Sequence, residues 1–408
     1  MDVAVEGDGR IGVSQNLRKG LDLKADLHGA GRECVAERVK MNALQAAVAG
    51  VFLHAVLQCP GLHIRLRAGQ DVGRLAAGAH FPTELYAICD SADDLRSRMQ
   101  AIWQPTVAYS DYQQMLDDEN VDAVIIATAD AFHIQLAMMA IKAGKHVLCE
   151  KPLGITIDEC EELVAVVNKT DRLFQLGHMK RFDGGIQAAR DFIQTEMGQL
   201  VAYKGWYCDN SQRYLTINAV QPQVIMSESK RKPKIAPKAD LQQYNLLSHG
   251  SHLLDTAMHL AGDITEVESH YLKRAGHQCW LMSVAFADGT LGQLDLTLGV
   301  HMDWHEGFQI YGENGSVVGK TYNPWFYKSS DVEIFSKTTG NFTRPLAADG
   351  QFYRRQLEAF SDAVLNQTPI IRATTLEEGL RTVKIMVAIQ ESTRTGKSVR
   401  VADARGSV

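Results

Sequence analysis

The stretch "HVLCEKPLG", residues 146–154, decides how the first half of the chain is read. Three apolar residues, Val147 to Cys149, are followed at once by Glu150 and Lys151 and then by Pro152. An apolar run of this kind marks a strand covered on both faces. A charged pair at its carboxyl end belongs at a crevice, because ligands of open parallel sheets collect outside the carboxyl ends of the strands. The alternative is a surface ion pair of negligible energetic weight.

Working outward, "LYAIC" (85–89), "VDAVIIAT" (121–128) and "LFQLG" (173–177) are further near-continuous apolar runs. Helical patterns separate them. Asp130 is placed to cap "AFHIQLAMMAIKAG", with Gly144 at its far end. Thr156 and Glu159 form a capping box, after which Cys160, Leu163, Val164 and Val167 follow helical spacing. Alternating strands and helices predict a parallel, doubly wound α/β sheet.

Past about residue 180 the pattern changes. Asp288-Gly289 in "SVAFADGTLGQLDLTLGV" and Asn314-Gly315 in "IYGENGSVVG" each separate two strand-like runs and predict hairpins. The second unit therefore reads as α+β with a mostly antiparallel sheet. A helical pair, about 351–366 and 376–394, and a short strand in "SVRV" close it. The division expected is residues 1–60 as an N-terminal extension of unassigned role, 61–178 as a dinucleotide-binding domain and 179–402 as a substrate-binding and oligomerisation domain.

The chain has 408 residues, a net charge of −6 and a pI near 6.2, which excludes the basic face that nucleic acid or an anionic membrane would require. Seven cysteines without any C-x-x-C pair point to reduced thiols and a cytoplasmic location. The window "MNALQAAVAGVFLHAVLQ" (41–58) carries Asn42, Gln45 and His54 and is short for a bilayer span, so a packed or interfacial helix is expected. The basic stretch "SESKRKPKIAPK" (227–238) reads as a solvated loop.

Two glycine-bearing segments compete for the phosphates of a dinucleotide. "VAVEGDGRIG" (3–12) has the letters of the fingerprint through Gly7, Gly9 and Gly12, but no second βαβ pattern follows it. "LHIRLRAGQDVG" (62–73) has poorer letters and better context, since Gly69 precedes by 21 residues the acid Asp90 that ends the next strand. The phosphate loop is therefore placed at Gly69, Asp71, Val72 and Gly73. Asp90 would accept hydrogen bonds from the adenosine ribose, and Ser91 in place of an arginine favours NAD over NADP.

The second chemical cluster is "SHGSHLLDTAMHLAG", 248–262. As a helix it has an apolar face of Leu253, Leu254, Ala257 and Leu260, with His252, Asp255 and His259 on the other. Asp255 and His259, four apart, could hydrogen-bond, the carboxylate raising the basicity of the ring. The same letters also suit a solvated polar face, a core hydrogen-bond donor, or metal ligands from His249, His252, Asp255 and His259, although no distant cysteine or histidine pair supports a metal.

Taken together, "CEKPLG", "VDAVIIATADAFH" and "GSHLLDTAMHLAG" resemble the Gfo/Idh/MocA family of nicotinamide-dependent oxidoreductases over about residues 62–402. The resemblance implies a Rossmann domain followed by a domain built on a large antiparallel sheet, and oxidation of a secondary alcohol of a sugar or polyol. It assigns Lys151 to contacts with substrate and nicotinamide, Asp255 and His259 to proton transfer with His259 as base, and Thr128, Ala129, His133 and Glu150 to the cofactor border. Lys180 and Arg181 in "GHMKRFD" fall where substrate contacts occur, with Asn245, His252, Trp206 and Tyr207 as further candidates. Some relatives suggest two other activities, a glycosidase that retains NAD and a non-catalytic dinucleotide-binding regulator. A homodimer or homotetramer is expected.

Overall fold

The computed structural model describes residues 62–66, 83–210, 240–346 and 350–408, which belong to one unit spanning residues 51–408. The expected extension at 1–60, the 41–58 helix, the loop residues Gly69, Asp71, Val72 and Gly73 and the basic stretch 227–238 lie outside them.

Six strands form the first sheet: β1 (Leu62–Leu66), β2 (Thr83–Cys89), β3 (Val107–Tyr109), β4 (Ala123–Ile126), β5 (His146–Glu150) and β6 (Phe174–Gly177), in the order β3-β2-β1-β4-β5-β6. This is the strand order of a doubly wound nucleotide-binding sheet. The pairs β2/β3, β4/β5 and β5/β6 are parallel, as their apolar runs predict. The exception is β1, which runs antiparallel to both neighbours, Leu62 opposite Ile88 and Leu66 opposite Thr83. Its text, "LHIRL", alternates apolar with His63 and Arg65 and lacks the continuous apolar character of a central parallel strand. The chain thus leaves β1 at the amino edge of the parallel strands, opposite to Asp90.

Helices α1 (Asp93–Trp103), α2 (Tyr112–Leu116), α3 (His133–Lys142) and α4 (Ile157–Val167) connect these strands. The Thr156/Glu159 capping box of α4 is present in both directions. Asp130 does not cap α3; it opens a 3₁₀ turn, Asp130–Phe132, and α3 begins without a side-chain cap. That turn puts His133, rather than Asp130, at the helix start.

A 3₁₀ turn (Met179–Phe182) and α5 (Gly184–Thr195) lead to the second sheet: β7 (Leu200–Asn210), β8 (Ile264–Arg274), β9 (His277–Phe286), β10 (Leu291–Val300), β11 (His305–Gly312), β12 (Gly315–Thr321), β13 (Asp331–Ser336), β14 (Asn341–Thr343) and β15 (Val399–Arg400). Its order is β14-β13-β12-β11-β7-β10-β9-β8-β15, antiparallel except for β7 beside β10. Gly289, at φ 90°, turns the β9–β10 hairpin. In the β11–β12 hairpin the turn falls one residue early, on Glu313 and Asn314; Gly315 is already in β12, where a Cβ would lie 2.3 Å from the Phe335 carbonyl oxygen.

Between β7 and β8 lie α6 (Leu241–Asn245), a π turn (Leu246–Gly250) and α7 (Ser251–Ala261), and α8 (Phe352–Asn366) and α9 (Leu376–Thr395) end the fold. The inner face of the second sheet buries Tyr203, Trp280 and Phe308, each of which would cost about 3–5 kcal/mol if truncated to alanine. Leu357 and Phe360 of α8 return to the first sheet, packing with Ile88, Ile125 and Leu148. Among the described residues no helix is long and apolar enough to cross a membrane.

Candidate active site

The carboxyl edge of the first sheet forms one wall. Asp90 ends β2, and its carboxylate accepts from the Ala92 amide at 2.8 Å. Thr128 and Ala129 follow β4, and Glu150 and Lys151 end β5. Asp90 and the Thr128 turn flank β1, the switch point at which a dinucleotide lies in such sheets, with Lys151 one strand further out, and their chemistry fits one: a carboxylate for ribose hydroxyls and a lysine at the reacting end. Lys151 Nζ donates to the Ser248 carbonyl across the crevice at 2.8 Å, and the Lys151-Pro152 peptide is cis. Burial lifts the Glu150 carboxyl to about 7 against the opposing charge of Lys151. The pair is therefore no exposed ion pair, and the sequence reading of a crevice holds for Lys151.

His133 does not border the cofactor with its ring. It is buried, with Nδ1 2.7 Å from the Pro152 carbonyl oxygen and Nε2 3.1 Å from that of Thr128.

The opposite wall is α7, and here the structure corrects the sequence reading. Every residue from Ser251 to Ala261 is buried, so the polar face meets other charged groups rather than solvent. Asp255 does not bond His259. Its carboxylate takes two hydrogen bonds from Arg181 Nε and one from Arg181 Nη2 at 2.7–3.0 Å, and one from Thr374 Oγ1 at 3.1 Å. Burial would raise its pKa, but the adjoining Arg181 guanidinium overrides that and holds it at about 2. Arg181 also donates to Glu378 and to the Ala373 carbonyl, so it ties the turn after β6 to α7 and to the start of α9.

His259 lies on the far side of this network. Its Nδ1 accepts from Arg190 at 2.7 Å, while Nε2 is buried without a partner. Burial, Arg181 and Arg190 together depress its pKa to about 2. The Nδ1 lone pair of His259 is thus engaged by a guanidinium, where the sequence spacing suggested a bond to Asp255.

His252, on the same helix, is the histidine that lies within the field of Lys151. It stands one helical turn beyond Ser248, the residue Lys151 touches, and burial, Lys151 and Lys180 hold its pKa well below the ordinary value. Its ring is parallel to Tyr207 (centroids 6.2 Å, 3°) and edge-on to His178 (6.1 Å, 87°). Among the described residues neither His252 nitrogen has a hydrogen-bond partner. His178 sits 3.7 Å from Asp255, and burial, opposed by that carboxylate, brings it down to about 4.

The floor joins Lys180, Tyr207 and His249, which the sequence singled out, to Glu306, Trp304 and Asp209, which it did not. Lys180 is buried, paired with Glu306 and set 4.6 Å above the Tyr207 ring. Trp304 Nε1 donates to the other Glu306 oxygen at 3.2 Å and its ring meets Tyr207 edge-on at 5.3 Å. His249 lies 3.3 Å from the Tyr207 hydroxyl and 3.8 Å from Asp209. Strand alternation carried a signal for Glu306, since it shares the inward face with Phe308 and Ile310. Trp206 faces the other side of the sheet, stacked on His305 at 5.6 Å, and Asn245 is tied to Gln278 at 2.9 Å. Neither reaches the crevice. No group of three His, Cys, Asp or Glu residues among the described residues could hold a metal.

A switch-point edge carrying an acid and a lysine, facing a sheet-based lobe with histidine and aromatic side chains, defines a dinucleotide-binding oxidoreductase architecture. Two family models match: the oxidoreductase family's NAD-binding Rossmann fold at residues 66–178 and its C-terminal alpha/beta domain at 245–401. The chain belongs to the Gfo/Idh/MocA oxidoreductase family. It is 30% identical over 162 residues to inositol 2-dehydrogenase of Salmonella typhimurium, a match covering 38% of this chain and only 48% of that relative. The match to 1,5-anhydro-D-fructose reductase of Ensifer adhaerens is 24% identical and covers 71% of this chain and 82% of that one. Among solved structures, levoglucosan dehydrogenase in complex with NADH and L-sorbose shares the fold, with a TM-score of 0.63 at 18% identity over 78% of this chain and 89% of that one.

Proposed function

We propose that this protein transfers hydride between a secondary alcohol of a sugar or polyol and NAD, with His252 taking the hydroxyl proton and Lys151 holding the same oxygen. The observation that carries the reading is the meeting of Lys151 and the His252 helix across the crevice, through the 2.8 Å bond to Ser248. The bound nicotinamide would supply the hydride acceptor. Asp90, Thr128, Ala129 and Lys151 would hold the dinucleotide.

The depressed pKa of His252 keeps the ring neutral, the form that can accept a proton. The ammonium group of Lys151 would stabilise the alkoxide as charge develops on it. Asp255 and Arg181 fix the helix rather than exchange protons. Tyr207 and Trp304 offer apolar ring surface for the C–H face of a sugar, and the Lys180–Glu306 pair offers hydroxyl partners. The dehydrogenase and reductase titles of the relatives support this chemistry and lend no weight to a glycosidase or a regulator. The carboxylate of Asp90 at the ribose position favours NAD over NADP.

The test is a panel of myo-inositol, levoglucosan and other polyols with NAD⁺ or NADP⁺, and 1,5-anhydro-D-fructose with NADH, read by nicotinamide absorbance. Turnover abolished by His252→Ala and by Lys151→Ala supports the assignment. Full activity in His252→Ala would sink it.

A further inference from the structure

We propose that His133 is a positioning residue for Lys151, acting through the carbonyl of Pro152. The inference rests on the function proposed for Lys151. His133 is 1% exposed, and both ring nitrogens face carbonyl oxygens, Pro152 at 2.7 Å and Thr128 at 3.1 Å. Thr128 belongs to the turn after β4 and Pro152 to the turn after β5, so one imidazole joins the two turns that border the crevice.

Both partners are acceptors, and a neutral ring has one N–H, so it donates to one of the two carbonyls and only contacts the other. The shorter contact assigns the Nδ1 proton to Pro152. From that fixed peptide Lys151 extends to the Ser248 carbonyl at 2.8 Å, and Ser248 lies one turn before His252. An unbroken line of contacts thus runs from the β4 turn through His133, Pro152 and Lys151 to the helix that carries the proposed base. Loss of the Pro152 contact frees the lysine turn while leaving every reacting side chain chemically intact. Misplacement of a reacting group by about 1 Å costs on the order of 100-fold in rate.

Two conservative variants separate positioning from bulk packing. The amide nitrogen of asparagine falls near the Nδ1 position of histidine, and that of glutamine near Nε2. His133→Asn therefore keeps a donor at the Pro152 carbonyl and vacates the Thr128 contact, and His133→Gln places its donor at Thr128 and leaves the Pro152 carbonyl without one. In full-length protein, trace acetylation by acetic anhydride with mass-spectrometric readout should label Lys151 in His133→Asn at the wild-type rate and faster in His133→Gln. With any panel substrate that turns over, His133→Gln should lose about 100-fold in kcat with KM little changed, and His133→Asn should retain most of kcat. Equal Lys151 labelling in the two variants overturns the proposal, as does an equal kcat loss in both that follows their loss of thermal stability. If no panel member is oxidised by the wild type, the functional reading fails, while the labelling comparison still decides the role of His133.

Discussion

Asp255→Asn separates an anchoring carboxylate from a proton-transfer partner. The carboxyl titrates near 2 in the folded protein against an ordinary 3.8, and a difference of about 2 pH units is worth roughly 2–3 kcal/mol. Because the folded value is the lower one, this stability is present above pH about 4 and is lost as pH falls through about 2. Asparagine preserves the shape but leaves Arg181 without its buried partner. Breaking a buried pair costs about 3–5 kcal/mol, and the low end applies here because Arg181 keeps Glu378 and the Ala373 carbonyl. At roughly 2 °C per kcal/mol, the low end for a chain of this size, the variant should melt about 6 °C below wild type at pH 7. The gap should narrow in acid toward pH 2, where wild type loses the same contribution. Thermal unfolding followed by circular dichroism at pH 7 and pH 3 reads both arms. An unchanged midpoint at pH 7, or a gap that does not shrink in acid, refutes the anchor. Below its melting range the variant should keep kcat within about tenfold, whereas loss of a true acid–base group costs about 10²–10⁴-fold.

His252→Ala should lower kcat by about 10²–10⁴-fold, while His259→Ala, beyond the Arg190 contact, should act mainly on stability; the reverse order in steady-state kinetics would restore His259 as base. Since the pKa of His252 lies below the ordinary histidine value, the acid limb of kcat/KM for the free enzyme should fall below pH 6.5, and a limb centred above 7 would contradict the assignment. Lys180→Met should be more destabilising than Lys180→Met with Glu306→Leu together, because the single change strands a buried carboxylate and the double change removes both charges. A double-mutant cycle in chemical denaturation measures the coupling, and additive effects would show the pair to be inert.

Much of the fold was legible because its signals are local. The buried parallel strands declare themselves as apolar runs, the Thr156 capping box as four letters, and the second sheet as alternation with Asp288-Gly289 between strands. Lys151 was legible for the same reason, since a charge directly after a buried strand can point only to an edge. Where local signals conflicted, the reading faltered. The neighbouring apolar runs suggested a parallel β1, yet the polar alternation of "LHIRL" goes with the antiparallel strand that β1 forms.

What the sequence could not decide is which charges meet. On α7 the i, i+4 spacing of Asp255 and His259 permits a hydrogen bond, and within an isolated helix nothing competes with it. In the folded chain Arg181 arrives from the turn after β6 and Arg190 from α5, and each guanidinium outbids the local pairing by offering a charge-assisted bond inside a buried space. By itself, then, the sequence determined the two sheets, the lysine at the crevice and the helix facing it. Only the tertiary structure set His259 against Arg190 and His252 in the field of Lys151, drew Glu306 to Lys180 and tied His133 to Pro152, because contacts 19 to 126 residues apart in the chain are set by packing and not by spacing.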